Sequence, residues 1–167
     1  QMNLQQMGRG LTNIGIYYAD LGDYDKALSY FKECELIALN VKSDYGYALS
    51  LINIGRCCSK LEQYKTALNN YNKAIKICEG NIELVNTLTY AFLEKAGLYT
   101  LKKQNHKAEE LYKKAESLLI KVNDIILEKS VYSALFNLYE EQKKQKSALK
   151  YYKLCNVVEE EIKQKKL

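Results

Sequence analysis

Apolar residues along this chain recur at three- and four-residue intervals. Leu11, Ile14, Gly15 and Tyr18 form one stripe at positions i, i+3, i+4 and i+7. After a break at Leu21-Gly22-Asp23-Tyr24, a second stripe runs through Ala27, Phe31 and Cys34. Such spacing gathers side chains on one face of an α-helix, so each stripe predicts a helix with one buried face. The pair of stripes then returns three times. Leu51, Ile54, Gly55 and Cys58 precede Ala67, Tyr71 and Ala74; Phe92, Ala96 and Tyr99 precede Ala108, Tyr112 and Ala115; Tyr132, Leu135 and Tyr139 precede Ala148, Tyr152 and Cys155. Asn13-Ile14-Gly15 reappears as Asn53-Ile54-Gly55, displaced by 40 residues. Eight helices follow, at roughly 5–21, 24–41, 44–61, 64–79, 82–102, 105–121, 125–142 and 145–164. One helix pair cannot bury both its faces, but stacked pairs share a core.

The punctuation agrees with this reading. Ser43 or Asp44, Asn81, and Asn123 or Asp124 stand where side-chain oxygens can cap a new helix, and Gly80 stands where one can end. Glu62-Gln63 and Lys103-Gln104-Asn105 read as short polar turns. The chain contains no proline and only eight glycines, which suits helices joined by short turns. Gly15 and Gly55 cost their helices about 1 kcal/mol each against alanine. That cost implies a close helix–helix approach, for which Ala27 and Ala67 are the small partners to expect.

These residues resemble the tetratricopeptide repeat signature, W-x2-L-G-x2-Y followed by A-x3-F. It stands here as Leu11-x2-Ile14-Gly15-x2-Tyr18 with Ala27-x3-Phe31, and as Leu51-x2-Ile54-Gly55-x2-Cys58 with Ala67-x3-Tyr71. The period is longer than the usual 34 residues. It is similar to the long-repeat variety of kinesin light chains and of bacterial sensor kinases and regulators. Lys95 and Phe136 depart from the pattern. The resemblance implies an all-α fold, a right-handed α-α superhelix of four helix-turn-helix repeats at about 8–41, 45–80, 85–122 and 125–164, forming one domain over 1–167. It also implies that the first helix of each repeat lines a concave wall. The wall positions are then Arg9, Thr12, Asn13, Ile16 and Asp20; Leu49, Ile52, Asn53, Arg56 and Lys60; Tyr90, Leu93, Glu94, Gly97 and Leu101; and Ser133, Asn137, Glu140 and Glu141.

Asn13 and Asn53 would form a ladder there, because an amide both donates to and accepts from a peptide backbone. Arg56 and Lys60 would suit an acidic ligand side chain. Arg9, Tyr90 and Asn137 complete the candidate peptide-binding set. The carboxylate clamp of chaperone-binding relatives is not reproduced, since Tyr90 and Glu94 occupy its basic places.

Charge and chemistry narrow the function. A net charge of +5 is spread among glutamates, with no clustered stripe for nucleic acid. No apolar run is long enough to cross a membrane. His106 alone represents histidine, on an expected polar face, and no catalytic motif, metal-ligand spacing or cofactor fingerprint occurs. No enzyme, no metal and no cofactor are expected. The reading is a protein- or peptide-binding scaffold, the sensor or regulatory segment of a larger signalling protein, or else a free-standing adaptor. The compartment expected is the cytoplasm, with an extracytoplasmic sensor segment as the alternative. Gln1-Met2 at the start suggests a piece of something longer. Met2, Leu4 and Met7, and at the other end Tyr151, Leu154, Cys155, Val157, Val158 and Ile162, suggest self-association through terminal helices.

Five cysteines, Cys34, Cys57, Cys58, Cys78 and Cys155, are odd in number and lack metal or disulfide spacing, so they read as buried apolar fillers. Thiol titration of the denatured, unreduced chain should count five free groups. Three or fewer would point to a disulfide framework.

Overall fold

The computed structural model describes residues 3–122 and 124–165. Among them are eight α-helices, α1 (Leu4–Asp20), α2 (Tyr24–Asn40), α3 (Asp44–Lys60), α4 (Tyr64–Cys78), α5 (Val85–Leu101), α6 (Asn105–Leu118), α7 (Ile125–Glu141) and α8 (Gln145–Lys165), with no strand. Short 3-10 turns, Ile82–Leu84 and Leu119–Lys121, open α5 and close α6 where the sequence predicts unbroken helix.

Five of the connections share one backbone solution. In each, a residue with φ near +55 to +80° follows the helix: Gly22 (φ 81), Lys42 (φ 53), Glu62 (φ 60), Lys103 (φ 57) and Lys143 (φ 56). The next N–H then bonds back to the last helical turn, Asp23 to the Tyr18 carbonyl at 2.9 Å and Gln63 to the Cys58 carbonyl at 2.8 Å, so orphan carbonyls are satisfied. The following residue begins the next helix. Asp23 accepts from the Lys26 N–H and Ser43 from the Gly46 N–H. Of the paired alternatives, Ser43 rather than Asp44 caps α3, and Asp124 caps α7 by accepting from the Ile126 and Leu127 N–H groups. Asn123 lies outside the described residues, as does Met2.

The chain divides into two compact units, Gln1–Ala91 and Phe92–Leu167. In the first, α1 packs on α2, α2 on α3 and α3 on α4. The core is set by a small residue on one helix facing a ring on the next. A Cβ added to Gly15 would stand 2.6 Å from the Phe31 ring, and one added to Gly55 would stand 2.7 Å from the Tyr71 ring. The close approach thus belongs to these rings. Ala27 and Ala67, the partners expected from sequence, are fully buried but are not the atoms nearest the glycines.

In the second unit Ala96 holds the small position and Tyr112 the ring, both in the buried core. Phe136 breaks the rule. Its ring occupies the place, Tyr152 is displaced to 50% exposure with centroids 5.9 Å apart, and Tyr151 turns inward to stack on Tyr139 at 5.6 Å. Tyr151 donates to Glu116 at 2.9 Å and Tyr139 to Glu109 at 2.8 Å, while Lys113 bonds both Glu116 and Tyr151. Burial, and then the Glu109 carboxylate, pushes the Tyr139 phenol up to about 12. Cys155 and Val158 are buried as well, so most of the apolar surface expected to protrude from α8 is consumed within this unit. Leu149 and Val157 stay exposed.

All five cysteines are free and buried. Burial pushes the Cys57 and Cys78 thiols up to about 11, so few thiolates form near neutrality. Three outcomes follow. Gly15→Ala, a gain for an ordinary helix, should instead lower stability in urea unfolding by about 1–3 kcal/mol, through overpacking against Phe31. Lys143→Gly should raise it by about 1 kcal/mol by relieving the left-handed conformation. Native Cys57 and Cys78 should resist iodoacetamide at pH 8 while the denatured chain reacts at once.

Candidate functional site

α1 and α3 carry equivalent faces, and the first unit builds two cavities beside them. One, of about 580 Å³, is lined by Gly8, Arg9, Thr12, Asn13 and Ile16 of α1, by Cys34, Ile37 and Ala38 of α2, and by Tyr45, Gly46, Leu49 and Ser50 of α3. Gly8 and Gly46 open it, since added Cβ atoms would lie 3.5 Å from Ile37 and 3.1 Å from Ala38. The other, of about 220 Å³, is lined by Ala19, Asp20, Tyr24, Arg56, Cys57 and Lys60. It mixes two cations with one carboxylate, and the Arg56 guanidinium also donates to the Tyr90 hydroxyl at 3.0 Å.

The candidates from sequence divide accordingly. Arg9 and Asn13 are exposed and share the larger cavity; Arg56, half-buried, and Lys60, exposed, share the smaller. Tyr90 is held by Arg56, which fixes both side chains. Asn137 is exposed on α7 in the second unit. Of the other expected wall positions, Thr12, Ile16, Asp20 and Leu49 line the cavities, whereas Ile52 is fully buried.

Asn53 differs from its expected surface role. Only 3% of it is exposed, and none of the side-chain hydrogen bonds among the described residues involves it. It lies one turn from Leu49 and Ser50 on one side and one turn from Arg56 and Cys57 on the other. It lines neither cavity, and the buried side-chain atom left without a hydrogen-bond partner among the described residues is Asn105 Oδ1 at the start of α6, not this amide. Asn13, at the same repeat position on the outermost helix of the unit, is exposed and lines the larger cavity.

Sequence reasoning looked only to first helices for the wall. It missed Cys34, Ile37 and Ala38, which the end of α2 contributes, and Tyr45 and Ser50 at the start of α3. The available signal was the small residue at positions 8, 38 and 46, which leaves room at one end of the helices. His106 is exposed at the start of α6. No helix among the described residues is long and apolar enough to cross a membrane.

The comparisons fit this architecture. A tetratricopeptide repeat family model matches residues 6–80. The solved structure of BtubC (BKLC) from P. vanneervenii superposes with a TM-score of 0.75 at 12% identity, covering 98% of this chain and 67% of that one. The apo form of RapI superposes with a TM-score of 0.62 at 19% identity, covering 96% of this chain and 54% of that one. This chain therefore spans about two thirds of the first neighbour and about half of the second. Among curated proteins no sequence matches. At these identities the structural likeness concerns the fold alone. Residues 6–80 thus match the tetratricopeptide repeat family, and the described residues as a whole have an all-α helical-repeat fold.

Proposed function

We propose that the protein is a peptide-binding scaffold whose first unit holds an extended segment of a partner protein along α1 and α3. The observation that carries this reading is the pair of open cavities beside α1 and α3, one lined by Arg9 and Asn13, the other by Asp20, Arg56 and Lys60. An extended backbone offers alternating N–H and C=O groups, which is what the exposed amide of Asn13 can satisfy. The cations Arg56 and Lys60, with Asp20 opposite, favour an acidic residue on the ligand near that end. Asn13, at the rim of the larger cavity, would supply that amide contact. In its larger setting the chain acts as the sensor or regulatory interaction segment of a signalling protein; a free-standing adaptor would use the same groove.

Peptide display selection against the protein, followed by titration of the selected peptides, tests the reading. Asn13→Leu should weaken capture at least about tenfold while leaving the stability of the unliganded protein nearly unchanged, because the side chain is exposed. A leucine variant that binds as tightly as the parent would overturn the proposal. Lys60→Gln should weaken acidic peptides severalfold and flatten their salt dependence, since screening acts on exposed charges.

A further inference from the structure

The wall of the larger cavity has an uneven hydrogen-bonding character. Its most buried polar side chains are Ser50 and Cys34, at 4% and 5% exposure, with half-buried Thr12 beside them. All three have committed their hydrogens to the protein. The Thr12 hydroxyl donates to the Gly8 carbonyl at 2.8 Å, and the Ser50 hydroxyl donates to the Gly46 carbonyl at 2.8 Å. The Cys34 thiol lies 3.5 Å from the Gly8 carbonyl and 3.4 Å from the Thr12 oxygen. Oxygen lone pairs remain, so this part of the wall can accept but has little left to donate. Around it stand Ile37, Ala38 and Leu49, which are apolar. Arg9 is exposed at the rim, and Tyr45, 55% exposed, offers a ring there.

From this arrangement we infer that the cavity is an anchor site for an aromatic group with a hydrogen-bond donor at its edge, an indole side chain above all, carrying a carboxylate close to the ring. The indole is apolar over most of its surface and donates through N–H without accepting, which is the complement of Thr12 and Ser50. The volume of about 580 Å³ accommodates it, within the roughly 300–1,000 Å³ common for ligand pockets. Arg9 pairs with the carboxylate at the mouth, an acidic neighbour in a peptide or the acid group of a small probe. The inference rests on the peptide-binding reading only for the identity of the natural ligand; the pocket's preference stands on its own chemistry.

Three probes separate the contributions: indole-3-acetate, benzofuran-3-acetate, which replaces the N–H by an oxygen acceptor, and 3-methylindole, which lacks the carboxylate. The protein has no tryptophan, so indole fluorescence reports the probe directly, and backbone amide shifts in NMR locate it. Indole-3-acetate should bind about tenfold more tightly than benzofuran-3-acetate, the size of one good hydrogen bond to a buried acceptor. Thr12→Val with Ser50→Ala should erase that preference while keeping the helical fold, and Arg9→Gln should weaken indole-3-acetate severalfold but leave 3-methylindole unchanged. Equal binding of the two acids, a preference that survives the paired substitution, or shifts that map away from Thr12, Cys34 and Ser50 would overturn the inference. If selected peptides without an aromatic donor bind fully and are not displaced by indole-3-acetate, the anchor site falls and the peptide reading stands. If indole-3-acetate binds as described while no peptide does, the peptide reading falls and the anchor site stands.

Discussion

The spacing between paired helices depends on one steric exchange: a residue without a side chain on the first helix admits a ring from the second. Gly15 receives Phe31 and Gly55 receives Tyr71 at distances that leave no space for a methyl group. That contact sets how near α2 comes to α1 and how near α4 comes to α3, while α2 meets α3 through Ala38 and Gly46. The groove beside them lies where small residues, Gly8, Ala38 and Gly46, face one another.

The second unit shows the same rule with its terms exchanged. Ala96 and Tyr112 share its buried core; at Phe136 the small position is filled, and the ring of Tyr152 is turned out. Tyr151 takes over the buried role, bringing a hydroxyl that needs partners. Glu116 and Lys113 provide them. One substitution in the pattern thus converts an apolar contact into a polar network, because a tyrosine at the neighbouring helical position reaches the core from another angle.

How far the sequence discloses this depends on the range of the interaction. Helices, turns and small positions were legible because they rest on local spacing and on repetition. Eight helices fall within a residue or two of their expected ends, apart from the two 3-10 turns. The candidate site was legible in part: the repeat register placed Arg9, Thr12, Asn13, Leu49, Arg56 and Lys60 on cavity walls. What escaped it depends on neighbours. Asn13 and Asn53 are identical in local sequence, yet one helix lies at the edge of its unit and the other inside, so one amide is wet and the other buried. The contribution of α2 escaped for the same reason, since it arises from where a helix end sits.

The short connections carry a consequence for how the chain reaches this state. With one left-handed residue between the end of one helix and the cap of the next, each helix meets its neighbour across a loop too brief to lose much entropy on closing. Contacts between helices adjacent in sequence dominate each unit, and chains of such low contact order fold on microsecond to millisecond scales. Collapse can begin at any helix pair and spread to the next. The long waits that distant strand pairing imposes have no counterpart in this topology, so the partly built chain spends little time with its apolar stripes uncovered.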